Sequence, residues 1–543
     1  MKFKRLIITL LFSFTVSGCQ QSKSYIVTWK NYDGSVLEVD ENVSYGTIPS
    51  YDGITPTRED DEENTYIFSG WSPNVTFVNG NQTYTAQYVN GFLEFSLNDD
   101  NNSYSVACRF DFDSTSIEIP STYLGKPVTS IGDEAFSECS SLTSIVIPSS
   151  VTSIDKSAFW GCSSLTSINV SDDNNNYSSI DGVLYNKNKT TLINYPYGKL
   201  ENIFVIPSSV TSIDEWAFSG CSSLTSIVIP NSVTVIGNYA FFYCSSLTSI
   251  VIPDSVTIIE NNTFLNCSSL TSIVIPNGVT HIGNNAFLYC SSLTSIVIPT
   301  NVTHIGNNAF SYCSSLTSIV IPNNVTHIGN NAFSYCSSLT SIVIPSSVTS
   351  IDYRTFYNCS SLTSIDIPSS VITIGGDAFS YCSSLTSIVI PSSVTSIDES
   401  AFWGCSSLTS INVSDDNNNY SSIDGVLYNK NKTTLINYPY GKLENIFVIP
   451  SSVTSIGYGA FLYCSSLTSI VIPSSVTSIG RNAFSYCSSL TSIVIPDSVT
   501  SIGRNAFANC LSLTIYAEAS SEPSGWDDNW NSSNRPVIWG YIG

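Results

Sequence analysis

Fourteen cysteines stand at positions 139, 162, 221, 244, 267, 290, 313, 336, 359, 382, 405, 464, 487 and 510, each 23 residues after the last except for two intervals of 59. A row of thiols can bridge neighbouring rungs as disulfides, ligate a soft metal, or fill a core as small hydrophobes. These cysteines follow a repeat register and show no pairing pattern, so reduced packing cysteine is the expectation. The residue before the cysteine forms a second column: Tyr243, Tyr289, Tyr312, Tyr335, Tyr381, Tyr463 and Tyr486, interrupted by Gly161, Gly220 and Gly404 and by Asn266, Asn358 and Asn509. One tyrosine per rung makes a broken aromatic stripe. It suits protein recognition, in which tyrosine is enriched, and equally suits stacking for its own sake, so the sequence leaves both roles open. His281, His304 and His327 make a third column that could hold a transition metal. Other coils carry Ser153, Val235, Ile258 or Thr373 there, and no carboxylate recurs beside the rings to orient them, so no metal is expected. Asp172 to Asn176 could offer oxygens to calcium, but Asp and Asn dominate turns, and a polar turn is the expectation.

The totals narrow the chemistry further. The 543 residues carry a formal charge of -23 with only 19 Lys plus Arg, a balance that repels a phosphate backbone, so nucleic acid is not an expected partner. Three histidines and one methionine leave little material for general base catalysis. There is no nucleophile-base constellation, no phosphate-cradling glycine loop and no metal-ligand spacing. The expectation is no catalytic residue, no cofactor and no enzyme.

A fixed 23-residue period specifies the element that positions all these columns, a solenoid. In the coil from Cys139, Leu142, Ile145 and Ile147 alternate around a strand, Pro148 ends it, and Val151, Ile154, Ala158 and Phe159 face the same interior. Asp155, or a glycine such as Gly237, precedes what reads as a short helical turn carrying Ala-Phe. One coil buries too little apolar surface to offset the entropy of fixing its backbone, so the coils must stack. The two 59-residue intervals hold one normal coil and one of 36 residues, and the segments 157–213 and 400–456 are identical. Within each, strand, turn and strand replace the Ala-Phe-Cys arc, giving hairpin coils near 168–206 and 411–449.

Outside the array, Met1 to Arg5 is basic, Leu6 to Val16 is an apolar run too short to span a bilayer, and Ser17-Gly18-Cys19 follows. This resembles a bacterial lipoprotein signal. The resemblance implies a signal peptide over 1–18, lipid attachment at Cys19, a lipidated linker over 19–24 and membrane association through the anchor. Residues 25–89 alternate β-branched and aromatic residues around Asp33-Gly34, Tyr45-Gly46 and Phe68-Ser69-Gly70-Trp71, a small sheet with a hairpin start. Their order resembles the Listeria-Bacteroides repeat of the internalin B-repeat type and implies a β-grasp-like domain. The acidic run Glu59 to Glu63 departs from that pattern and reads as a solvated loop. Residues 90–128 form an irregular half-repeat that caps the array's start, the solenoid runs over 129–515, and 516–543, with Trp526, Trp530 and Trp539, caps its end.

The phrase Leu-x-x-Ile-x-Ile-Pro-x-x-Val-x-x-Ile-x-x-x-Ala-Phe-x-x-Cys resembles the BspA-like leucine-rich repeat. That resemblance implies a β-rich, right-handed leucine-rich repeat array with short helical turns. It also implies a place on the bacterial cell surface and, for such proteins, binding of matrix or host proteins. The expectation is a lipid-anchored, adhesin-like surface protein whose partners are extracellular or host proteins. The alternative is a structural protein of the envelope or intercellular matrix with no foreign ligand.

Overall fold

The computed structural model describes residues 23–60, 66–109 and 114–543. One compact unit runs to Ser114 and includes Glu118–Ser130; the other comprises Thr115–Ile117 and Ile131–Gly543.

The first unit is built on four strands, β1 (Ser24–Lys30), β2 (Val36–Ser44), β3 (Tyr66–Ser72) and β4 (Gln82–Asn90), in the order β2-β1-β4-β3. The central β1 and β4 run parallel and the outer pairs antiparallel. Alternation along β1 turns Val27 and Trp29 inward, and Trp29 stacks on Tyr84 at 4.8 Å and meets the edge of Trp71 at 4.6 Å. A separate hairpin, Leu93–Leu97 with Tyr104–Cys108, follows.

The second unit is the solenoid. A typical coil holds two short strands, such as Ser295–Val297 and His304–Ile305. Each pairs in parallel, in register, with its equivalent 23 residues on: Ile296 lies opposite Ile319, and His304 opposite His327. The inward residues Leu293, Ile296, Ile298, Val302, Ile305, Ala309, Phe310 and Cys313 are all buried.

The expected helical turn is absent. In a helix every interior N–H bonds within its own segment. Here alternate N–H groups cross to the next coil: Asn308 to the Asn330 carbonyl, Phe310 to that of Ala332 and Tyr312 to that of Ser334, each at 2.8 Å. The groups between them close tight turns, Ser311 on Asn308 and Cys313 on Phe310. This alternation sets two left-handed corners per arc, at Asn308 (φ 54°) and Tyr312 (φ 59°). The arc is therefore a third ladder between coils, and a helix would forfeit it.

The phenylalanine of each arc stacks on the next. From Phe218 to Phe402 the ring centroids are 5.2 to 5.8 Å apart. In the hairpin coils strands such as Tyr177–Ile180, Val183–Asn186 and Thr191–Asn194 form an antiparallel sheet whose last member rejoins the array beside Ser212–Ile213. Tyr195 and Tyr438 take the place of phenylalanine in the column there. At the array's end Trp526 and Trp530 are buried, with Trp530 edge-on to Phe507 at 5.7 Å.

Candidate functional site

The column before the cysteines occupies the second left-handed corner of every arc. Tyr243, Tyr289, Tyr312, Tyr335, Tyr381, Tyr463 and Tyr486 all have φ between 59° and 62°. Gly161, Gly220, Gly404, Asn266, Asn358 and Asn509 share that conformation. Glycine and asparagine adopt it with little penalty, whereas other residues give up about 1 to 2 kcal/mol. The alternation of tyrosine with these two residues was the sequence signal for a strained corner. Such a corner turns the side chain outward, and Tyr243, Tyr289, Tyr381, Tyr463 and Tyr486 are each more than two-fifths exposed.

Where the tyrosines are consecutive they stack, Tyr289 on Tyr312 at 4.5 Å and Tyr312 on Tyr335 at 4.2 Å. The next rung has Asn358 at the corner, yet the column continues. Tyr357, one residue out of register, lies 5.3 Å from Tyr335 and 5.4 Å from Tyr381. The result is an unbroken run of rings from Tyr289 to Tyr381, with a second pair, Tyr463 and Tyr486, at 4.6 Å. Burial within the stack, and then the neighbouring hydroxyls of Tyr335 and Tyr289, push the Tyr312 phenol up to about 12. Because stacking covers the ring faces, the column presents edges and hydroxyls.

A second stripe went unremarked in the sequence although strand alternation implies it. Between two inward isoleucines each long strand turns one residue out, and Val228, Val251, Val274, Val297, Val320 and Val343 are 50% to 78% exposed. Asp366 ends that run at the next rung. The valines form an uncharged, β-branched ridge beside rows of Ser and Thr, whose hydroxyls bond to the preceding coil, as Thr294 Oγ1 does to the Thr271 carbonyl.

The other columns resolve as follows. His281, His304 and His327 project outward from paired strands, the first two rings stacked at 5.0 Å with Nδ1 atoms 2.9 and 2.8 Å from the preceding threonine hydroxyls. Thirteen register cysteines are free and buried. Each thiol reaches a carbonyl 26 residues earlier; Cys313 Sγ donates to the Phe287 oxygen at 3.3 Å and Cys359 Sγ to that of Phe333 at 3.1 Å. The cysteine thus fills the core and also ties adjacent coils. Cys139 corrects the expectation for its column, because it is disulfide-bonded. In the segment 172–176 Asn174 is fully buried; its amide donates to the Pro148 and Val151 carbonyls and its Oδ1 accepts from Asn176 and Tyr177 N–H, which makes it a turn anchor. Among the described residues no group of three or more His, Cys, Asp or Glu is arranged to hold a metal ion, and no helix is long and apolar enough to cross a membrane. Cys19, the expected lipid site, lies outside the described residues.

Comparison with known proteins places this geometry. None of the curated proteins compared matches the chain. A leucine-rich repeat protein from Bacteroides ovatus ATCC 8483 is 26% identical with a TM-score of 0.42, over 84% of this chain and 92% of that one. A leucine rich cell surface protein from Faecalibacterium prausnitzii A2-165 is 28% identical with a TM-score of 0.37, over 84% and 98%. The family model for the BspA type leucine rich repeat region matches in six copies, over residues 109–203, 194–317, 304–433 and 438–520. The chain belongs to the BspA type leucine-rich repeat family.

Proposed function

We propose that the protein is a lipid-anchored bacterial surface protein that binds extracellular or host proteins through the repeat array. The observation that carries this reading is the run of rings from Tyr289 to Tyr381: partly exposed tyrosines, all but Tyr357 held at corners where Asn or Gly would relieve the backbone. Packing alone does not account for the choice. Stacking contributes about 0.5 to 1.5 kcal/mol per pair, roughly what the left-handed backbone gives up per rung. A row of hydroxyl edges beside an uncharged valine ridge suits a protein surface with complementary backbone and apolar groups. The anchor rests on Leu6 to Cys19, and the reading assigns no catalysis to the chain.

The test uses Tyr289→Asn/Tyr312→Asn/Tyr335→Asn, because asparagine already occupies this corner at 266, 358 and 509. Immobilised protein is titrated with matrix proteins, host-cell surfaces and the bacterium's own envelope. Saturable binding that the triple variant loses, with its melting curve within a few degrees of the parent, supports the reading. Absence of binding to all three, or binding the variant retains, overturns it and leaves a structural envelope protein.

A further inference from the structure

The two identical segments 157–213 and 400–456 build the same hairpin coil twice, yet the structure folds them differently around one spot. In the first, Lys156, Trp160, Asn194, Tyr197, Trp216 and Ser219 line a small recess with room at its floor for a single water-sized group. Ser219 Oγ is buried and without a hydrogen-bond partner. Trp160 stands 39% exposed at the rim, and Trp216, one face of which is stacked on Tyr239 at 4.0 Å, forms another wall. The Lys156 ammonium is matched by Asp214 at 3.2 Å and Glu215 at 3.6 Å, so the rim carries no free cation.

In the second segment the equivalents of three of those lining residues are Trp403, Asn437 and Tyr440, and the recess is shut. Trp403 Nε1, both amide atoms of Asn437 and the Tyr440 hydroxyl are buried and make no hydrogen bond of normal geometry. Asn437 is 2% exposed and Tyr440 7%. The cause lies just beyond the identical stretch. Where the first coil has Trp216 the second has Gly459, and Trp403 settles onto it, its Cζ2 only 3.2 Å from where a Cβ would stand. Where the first has Gly220, on which the Tyr197 ring lies, the second has Tyr463, and Tyr440 must turn inward. Trp216 and Gly459 both have φ near 60°, as do Gly220 and Tyr463 near 65°, so the exchanges change side chains and leave the corner as it was.

We infer that the hairpin coil is a binding pocket for one neutral sugar unit, open at Asn194 and closed at Asn437. The floor offers an amide donor, an amide acceptor and hydroxyls, a set that a sugar hydroxyl or hydroxymethyl group, itself donor and acceptor, satisfies in a water-sized space. The indoles of Trp160 and Trp216 flank the opening and suit the C–H face of a pyranose ring. One ammonium against two carboxylates leaves the rim with one surplus negative charge, which turns away an anionic ligand. An apolar ligand would leave the floor atoms unpaired, and a peptide side chain long enough to reach them lacks the flat face that the two indoles match. This pocket is separate from the tyrosine column and stands or falls independently of it.

The test titrates the full chain with methyl glycosides of glucose, galactose, mannose and N-acetylglucosamine, read by tryptophan fluorescence and ligand-observed saturation-transfer NMR. Trp216→Gly/Gly220→Tyr places the closed coil's two corner residues in the open one and should weaken binding at least tenfold with the fold unchanged. Gly459→Trp/Tyr463→Gly makes the reverse exchange and should about double the saturable signal. Both variants transplant residues already seated at equivalent left-handed corners, and a melting curve of each, within a few degrees of the parent, separates lost binding from lost folding. No saturable binding of any glycoside, binding indifferent to the closing exchange, or a crystal soaked in glycoside that holds only water in the recess would overturn the inference.

Discussion

Raising the pH should dismantle the array from within. Burial pushes the thiols of Cys162, Cys336 and Cys405 from an ordinary 9.0 up to about 12, and those of Cys313, Cys359 and Cys382 well above it. Below pH 9 folded and unfolded chains both keep these protons and stability is undiminished. Above pH 9 the unfolded chain releases protons that the folded coils retain, so stability falls by about 1.4 kcal/mol per pH unit per thiol, until about pH 12 for the first three. At pH 10 each such thiol removes about 1.4 kcal/mol, so the first three alone remove roughly 4. The assay is urea unfolding followed by circular dichroism at steps from pH 7.5 to 10.5, with Cys336→Val and Cys405→Val as controls that should each reduce the pH slope by about one proton. At pH 8 a water-soluble disulfide reagent should find the thirteen free cysteines silent until urea exposes them. An unfolding midpoint equal at pH 7.5 and 10, or rapid modification of folded protein, would refute the burial argument.

Three further outcomes follow from the packing of the coils. Phe310→Ala removes a fully buried ring stacked at 5.3 and 5.5 Å and should cost about 3 to 5 kcal/mol. Since each coil touches only its neighbours, hydrogen exchange should quicken around residues 287–333 before the ends. Asn174→Ala breaks four hydrogen bonds at a buried anchor and should lower stability by about 2 to 4 kcal/mol in thermal or chemical unfolding, while millimolar calcium leaves the parent's melting temperature unmoved. Trp530→Ala uncovers Phe507, and limited proteolysis should then begin in the last coils, at residues 487–513.

Much of this architecture is written in the chain because its core is periodic. The cysteine spacing gave the coil length, and Leu, Ile and Phe marked which side faces inward. The arc differs from the helical expectation because Asp or Gly before Ala-Phe looks like a helix start, while the backbone there serves neighbouring coils and turns left-handed twice. The contrary signal was present, since a column accepting Tyr, Gly and Asn but no β-branched residue describes a positive-φ site. Tyr357 could not be found by register because it sits one place off it and joins the column only through its ring. Cys139 keeps the 23-residue spacing, so spacing placed it with the free thiols. The open and closed hairpins were hidden because their internal sequences are identical, and the deciding residues, Trp216 and Gly459, fall outside them.

Identity between 157–213 and 400–456 also matters to inheritance. Recombination between the two stretches would delete 243 residues (400 − 157) in frame and leave a chain of 300 (543 − 243). The excised piece is a whole number of coils, so every ladder would close across the seam and Trp526 and Trp530 would still cover the end. Such a descendant would fold like its parent. It would carry Gly459 and Tyr463 after its single hairpin, with the rings from Tyr289 to Tyr381 gone. A lineage could in this way discard both exposed surfaces in one genetic event and regain them by unequal exchange, with no point mutation and no misfolded intermediate.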